Sequence, residues 1–93
     1  SGLCLPYTVT EDIAISLFYD YISPEFPAHS RTVLEADLVG SSHLSGSGIA
    51  HAVEELMKHI NLILAQRILK GYAELVELVR ELGRVDFALA VDL

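Results

Sequence analysis

Residues 50–82 carry the longest regular pattern in this sequence and constrain the fold more than any other stretch. Apolar side chains recur there at steps of three and four residues, the spacing of one face of an α-helix: Val53, Met57, Ile60, Leu64, Ile68, Tyr72, Leu75, Val79 and Leu82. A continuous helix of this length would span roughly 50 Å, which is more than a chain of 93 residues can cover with its own core. We therefore expect the helix to fold back or bend at Gly71, or to bury part of this stripe against a partner.

Shorter patterns before the long helix predict a strand and a first helix. Residues 3–7 favour a short strand, with Pro6 at an edge because proline cannot donate to a ladder. Thr8 and Glu11 have the spacing of a capping box, which predicts a helix that begins here and ends near Ile22. Two apolar stripes run along this helix, so we expect burial on more than one side: Ile13, Ala14, Leu17, Phe18 and Tyr21 on one, Ile15, Tyr19 and Ile22 on the other.

The segment between the two helices favours a β-hairpin. Pro24 and Pro27 should end the first helix, because the residue before a proline is pushed out of the α region. Residues 31–39 alternate between apolar and polar like a half-buried strand, and residues 43–49 offer a weaker, glycine-containing returning arm. Residues 85–93 alternate strictly and predict a last strand, added either to the domain's own sheet or to the edge of a partner.

Together these elements predict one α+β domain over residues 1–93. Its order is β-α-β-β-α, with an extended second helix and a C-terminal strand, and its helices pack on one face of a small antiparallel sheet. Residues 71–93 are expected to form a helical and strand extension at the C-terminal end. Gly83 lies where the glycine that follows a helix C-cap is expected.

The composition favours a subunit of a larger assembly. Apolar residues make up 52% of the chain and charged residues only 20%, which excludes a disordered chain and is rich in apolar surface for a small domain. The formal net charge is −7 and the 6 lysines and arginines are scattered singly, so we expect no direct grip on a nucleic acid backbone. The apolar runs are far shorter than the roughly 20 residues that span a bilayer.

Cysteine use bears on the cellular compartment. The chain has a single cysteine, Cys4, which cannot form an internal disulfide. No stretch of the sequence combines the basic and apolar regions of a secretory signal. We therefore expect a cytoplasmic protein that does not associate with membranes.

Three polar groups are candidates for chemistry, and each has a plainer explanation. His51, Glu55 and His59 share one helix face at a spacing that metal ligands use, but no H-E-x-x-H motif is present and a solvated polar face is favoured. Residues 45–48 resemble an anion cradle before a helix, without the lysine of a Walker loop. His43 lies near several serines, without the G-x-S-x-G motif of a nucleophile elbow. We expect no enzyme, no cofactor and no metal centre.

The middle of the chain carries a family pattern in three stretches. They are AISLFYDYISPEF at residues 14–26, HSRTVLEADLVGS at 29–41 and SHLSGSGIAHAVEELMKHINLILAQRIL at 42–69. Together they resemble the Pcc family, the small dimerisation subunit of the KEOPS complex. That family shows a helix ending in a Ser-or-Lys-Pro-Glu turn, a strand beginning near an arginine, a hairpin, and a final helix centred on an asparagine. The matching positions here are Pro24, Glu25, Arg31 and Asn61.

Departures from the pattern indicate a diverged member. Gly46 and Gly48 stand where the family alternates bulky aliphatic residues, and Met57 stands where it tends to have a basic residue. With the acidic balance, these differences fit the archaeal second paralogue, which resembles the Gon-type fifth subunit. The resemblance implies a non-catalytic role in the threonylcarbamoyladenosine modification of tRNA, with tRNA contacted only indirectly.

The resemblance also implies partners. In that family the sheet pairs with another Pcc-type chain, and helices of the main subunit dock on the catalytic Kae-type subunit. We therefore expect a heterodimer with a Pcc-type subunit, contact with a Kae-type subunit, and a homodimer when the chain is isolated. The alternative from another class is a stand-alone α+β homodimer that binds a small ligand or a metal through the glycine loop and the histidines.

Ten apolar residues are the candidates for the interface. They belong to the predicted strand at 31–39, the far part of the long helix and the last strand, where apolar side chains exceed what a small sheet can cover. These residues are Leu34, Leu38, Leu64, Ile68, Tyr72, Leu75, Val79, Leu82, Phe87 and Leu89.

Overall fold

The structure is a computed structural model that describes the backbone of residues 2–67 and 72–92 and the side chains of residues 4–67 and 73–91. Within these residues the chain forms four helices and a two-stranded antiparallel sheet, so the predicted α+β class is confirmed. The elements are β1 (Gly2–Thr8), α1 (Glu11–Tyr21), α2 (Phe26–Ser41), α3 (Gly46–Arg67), α4 (Tyr72–Leu82) and β2 (Asp86–Asp92).

The sheet joins the first and last strands of the chain. Leu5 pairs with Leu89 and Tyr7 with Phe87 in an antiparallel register. The sequence left open whether the last strand pairs within the chain, and the structure gives β2 a place in the domain's own sheet. The alternation of β2 is as predicted: Phe87, Leu89 and Val91 are buried against the helices, whereas Asp86, Ala88 and Ala90 are exposed.

The predicted element order is wrong between residues 26 and 49. Residues 31–39 lie inside α2, and the buried positions of that helix fall at every fourth residue: Phe26, Ser30, Leu34 and Leu38. Pro27 lies in the first turn of α2 instead of ending a helix, because the N–H that proline lacks has no helical partner there. Residues 42–45 are a short irregular linker, and α3 begins at Gly46, so the returning hairpin arm is absent from residues 43–49.

The first helix has the predicted extent and a different cap. Helix α1 runs from Glu11 to Tyr21, and the Oγ1 atom of Thr10 accepts from the Ile13 N–H at 3.3 Å. The predicted cap residue, Thr8, instead pairs its hydroxyl with the Asp86 carboxylate across the sheet. The capping box therefore has the wrong register, although the helix that it signals is present.

The long apolar stripe is divided between two helices that contact each other. Helix α3 ends at Arg67 and α4 begins at Tyr72, and Gly71 lies outside the described residues. Arg67 Nη2 donates to both carboxylate oxygens of Glu81, at 3.0 and 2.9 Å, and so links the two helices.

Helix α4 and strand β2 belong to the same core as the rest of the chain. Leu78 and Leu82 are fully buried, α4 also packs on α1, and one apolar cluster extends from Tyr7 to Val91. Residues 72–92 are therefore integrated into the domain and are not an appendage to it.

Gly83 follows α4, as expected, but its role is spatial. Its backbone is not in the left-handed region, and a Cβ atom built on it would lie 3.1 Å from the Cα and 3.4 Å from the N of Glu11. The end of α4 thus approaches the start of α1 closely, and a glycine at this position makes that approach feasible.

We predict that Gly83→Ala lowers the free energy of unfolding by about 1–3 kcal/mol, because the added methyl group meets backbone atoms that cannot rotate away. Gly40→Ala is the matched control, since Gly40 lies in α2 with nothing within 4 Å of the added atom; it should stabilise the chain by up to about 1 kcal/mol. Urea unfolding of both variants measures the difference. Equal effects would contradict the close approach.

Candidate docking surface and apolar pocket

The structure buries most of the expected interface residues within the single chain. Six of the ten are 7% exposed or less: Leu34, Leu38, Leu64, Leu82, Phe87 and Leu89. Leu75 and Val79 are half-buried and pack against the same core. Ile68 and the side chain of Tyr72 lie outside the described residues. The burial of these eight residues needs no partner to explain it.

Among the described side chains, the exposed apolar residues that share one face lie instead on α1 and its C-cap. Ile15, Tyr19 and Ile22 follow each other at steps of four and three residues, so they share one face of the helix. Tyr19 is 63% exposed and Ile22 is 62% exposed. The expectation that α1 is buried on more than one side is therefore wrong for this face, which we name the α1 stripe. Val39 and Leu62 are exposed singly on α2 and α3.

Neighbouring contacts hold the α1 stripe in place. The Tyr21 and Phe26 rings meet edge to face with centroids 5.2 Å apart, and the Phe18 and Tyr19 rings do so at 5.8 Å. His29 Nδ1 lies 3.2 Å from a carboxylate oxygen of Asp20, which ties α2 to the same end of α1. The stripe is thus an apolar surface on a supported helix with a charged residue beside it.

A second feature is a pocket between the sheet and the end of α2. It has a volume of about 440 Å³ and a mainly apolar lining made by Leu5, Pro6, Leu38, Leu44 and Leu89. Its polar lining residues are Tyr7, Ser41, Ser42 and His43. Volumes of this order are typical of small-molecule sites.

Tyr7, which lines the pocket, donates its phenolic hydrogen to Asp37 across 30 residues of sequence. Burial is the main cause that raises the pKa of the Tyr7 phenol, and the hydrogen bond to Asp37 and the negative charge of that carboxylate raise it further. The phenol therefore keeps its proton, and the carboxylate remains the acceptor.

The two serine hydroxyl groups at the pocket rim already donate their hydrogens to backbone carbonyls. Ser41 Oγ donates to the carbonyl of Asp37 at 2.8 Å, and Ser42 Oγ donates to that of Leu38 at 2.7 Å, as serines near a helix end often do. Each oxygen keeps lone pairs that can accept. Neither hydroxyl is bonded to His43, so a Ser-His nucleophile pair is not assembled here.

The polar groups of the candidate metal-binding face are engaged in local bonds. Glu55 pairs with Lys58 at 3.1 Å, and this hydrogen bond is the main cause that lowers the pKa of the Glu55 carboxyl. His59 Nδ1 donates to the Glu55 carbonyl at 2.9 Å, and its ring packs on Phe87. Among the described side chains no group of three or more His, Cys, Asp or Glu residues is placed to hold a metal ion.

In the glycine loop at residues 45–48, Ser45 already accepts hydrogen bonds from the backbone. Ser45 Oγ accepts from the Gly48 N–H at 3.3 Å, and the Ser45 carbonyl accepts from the Ile49 N–H at 2.8 Å. Ser45 therefore caps α3. A backbone N–H that an incoming anion would use is already engaged.

Sequence reasoning missed the Tyr7–Asp37 pair. Assigning residues 31–39 to a strand put Asp37 on a solvated face, whereas in a helix it shares a side with the buried Leu34 and Leu38. Asp37 follows Leu34 by three residues and precedes Leu38 by one, so in a helix its carboxylate lies near buried leucines and needs a hydrogen-bond donor. This requirement is the sequence signal that could have indicated the pair. Which donor it finds depends on the fold.

No family model matches the chain, and no curated protein or solved structure is significantly similar to it. Within the described residues, no helix combines the length and the apolar character that a membrane crossing needs.

We predict that Tyr7→Phe destabilises the chain by about 1–3 kcal/mol, because it leaves a half-buried carboxylate without its donor. The double variant with Asp37→Ala should lose less than the sum of the two single changes, which a denaturation cycle measures. Because the Tyr7 pKa is raised on folding, its contribution is present below a pH of about 10 and is lost as pH rises further. Additive losses, or the same alkaline decline in Tyr7→Phe, would contradict the pair.

Proposed function

We propose that this chain is a non-catalytic subunit that docks on a larger protein through the α1 stripe. The observation that carries the proposal is the exposure of Ile15, Tyr19 and Ile22 on one helix face of a domain whose other large apolar side chains, among those that the structure describes, are mostly buried. A helix that presents apolar side chains at such steps is a recurrent way to enter a groove on a partner.

The chemistry of the stripe supports this role. Tyrosine contributes a large contact area with few rotatable bonds, and it is enriched among the residues that dominate binding energy. The neighbouring Asp20 and His29 supply a polar rim, and a polar rim around an apolar centre is the usual anatomy of a protein interface.

The assembly we propose is of the KEOPS type, where the chain would support tRNA threonylcarbamoyladenosine modification without contacting tRNA directly. The support is the resemblance of residues 14–26 to the Pcc family, and the α1 stripe lies within that stretch. The docking surface that we propose differs from the one that the resemblance implies. Residues 31–39 are helical, so we assign docking to a helix and no longer to pairing between the sheets of two Pcc-type chains.

We predict that Tyr19→Glu and Ile22→Glu each weaken binding to a purified Kae-type or Pcc-type partner by at least about 30-fold, the loss expected for a hot-spot side chain. Both side chains are largely exposed, so the melting temperature of the isolated chain should hardly change. Size-exclusion co-elution and calorimetric titration measure the binding.

Val39→Glu is the matched control. It makes the same change of polarity at an exposed valine on α2 and should leave binding intact. If neither partner co-elutes with the unmodified chain, the KEOPS-type assignment fails. If a partner binds and the α1 variants bind as tightly as Val39→Glu, the docking surface lies elsewhere.

A further inference from the structure

We propose that the pocket between the sheet and the end of α2 binds a compact apolar molecule that carries one hydroxyl or amine group and no negative charge. This site is separate from the α1 stripe, since none of the stripe residues lines it. The ligand class follows from the lining, the available hydrogen-bond acceptors and the charges around the pocket.

The lining sets the apolar part of the ligand. Leu5 and Leu89 come from the two strands, Leu38 from α2, and Leu44 from the linker that follows it. Three separate parts of the chain therefore meet around one cavity. When an aliphatic or aromatic group fills the cavity, apolar surface of both the ligand and the pocket is removed from water. This removal is the main favourable contribution to the binding free energy in such sites.

The acceptors set the polar group of the ligand. Ser41 and Ser42 donate their hydroxyl hydrogens to helix carbonyls, and Tyr7 donates its phenolic hydrogen to Asp37. The oxygens of these three residues can therefore accept but not donate in the pocket. His43, the fourth polar residue of the described lining, is exposed. A ligand with a hydroxyl or amine hydrogen is matched to this rim.

The charges exclude an anionic ligand. Among the described residues neither lysine nor arginine lines the pocket, and the Asp37 carboxylate accepts the hydrogen bond of the lining residue Tyr7. A ligand carboxylate or phosphate placed here would lose its hydration and meet neither lysine nor arginine in the described lining, whereas an ammonium group would be attracted by Asp37. The net charge of −7 acts in the same direction at longer range.

Three probes with one skeleton test the proposal: phenylbutanol, phenylbutylamine and phenylbutyrate. Titration into the isotope-labelled chain, followed by amide NMR, should shift the resonances of Leu5, Tyr7, Leu44 and Leu89 with the alcohol and the amine. Phenylbutyrate should bind at least about tenfold more weakly, because its carboxylate is desolvated without a partner. Absence of shifts with all three probes overturns the site. Equal binding of phenylbutyrate overturns the ligand class.

A pair of variants locates the binding. Leu44→Trp puts an indole into the half-buried linker position that lines the pocket and should abolish the shifts. Leu62→Trp makes the same change at an exposed position of α3 that does not line the pocket, and it should bind like the unmodified chain. Equal binding by the two variants overturns the assignment. If Leu44→Trp fails to fold, the three-probe titration of the unmodified chain still decides between the outcomes.

Discussion

The pairing of β1 with β2 is the constraint on which the rest of the fold depends. It joins residues at opposite ends of the sequence, with Gly2 opposite Asp92, so the four helices between them must form a closed path. Two strands alone are at best marginally stable in water. The sheet persists because Tyr7, Phe87, Leu89 and Val91 enter the apolar cluster that the helices share. Strand pairing and helix packing are therefore a single cooperative unit, and closing so long a loop carries an entropic cost that the core must offset.

Much of this fold can be predicted from the sequence wherever a single hydrophobic period dominates a segment. The strict alternation of residues 85–93 and the stripe of the long helix are unambiguous. Strand β2 forms at Asp86–Asp92, and the stripe lies on two helices, α3 and α4. Residues 31–39 are different, because Leu34, Ala36 and Leu38 alternate while Leu34 and Leu38 also fit a helical step of four. The helical series of buried positions, Phe26, Ser30, Leu34 and Leu38, is hard to recognise because Ser30 is polar. Ser30 is nevertheless buried in the core, and its Oγ has no hydrogen-bond partner among the described residues. A short apolar run of this kind does not decide between a strand and a helix.

The candidate sites were harder to predict for a physical reason. The apolar surplus inferred from the long stripe was assigned to its far half, but α4 turns back and buries Leu78 and Leu82 on α1 and α3. That packing covers one face of α1 and leaves its second stripe exposed. Which of several amphipathic faces stays uncovered depends on the path between helices, and no local pattern encodes that path. The same holds for the pocket, whose lining comes from both ends of the chain.

The sheet itself offers a poor surface for self-association. The solvent face of β2 presents Ala88 and Ala90, which offer little apolar area. Antiparallel pairing of two β2 strands about Leu89 would place Asp86 of one copy opposite Asp92 of the other, and like charges directly opposite each other destabilise a ladder. Pro6 removes one donor from β1. Charge and proline thus disfavour pairing at the open edges of the sheet, whereas Tyr19 and Ile22 are 63% and 62% exposed, so the partner that we propose would bury apolar surface by covering them.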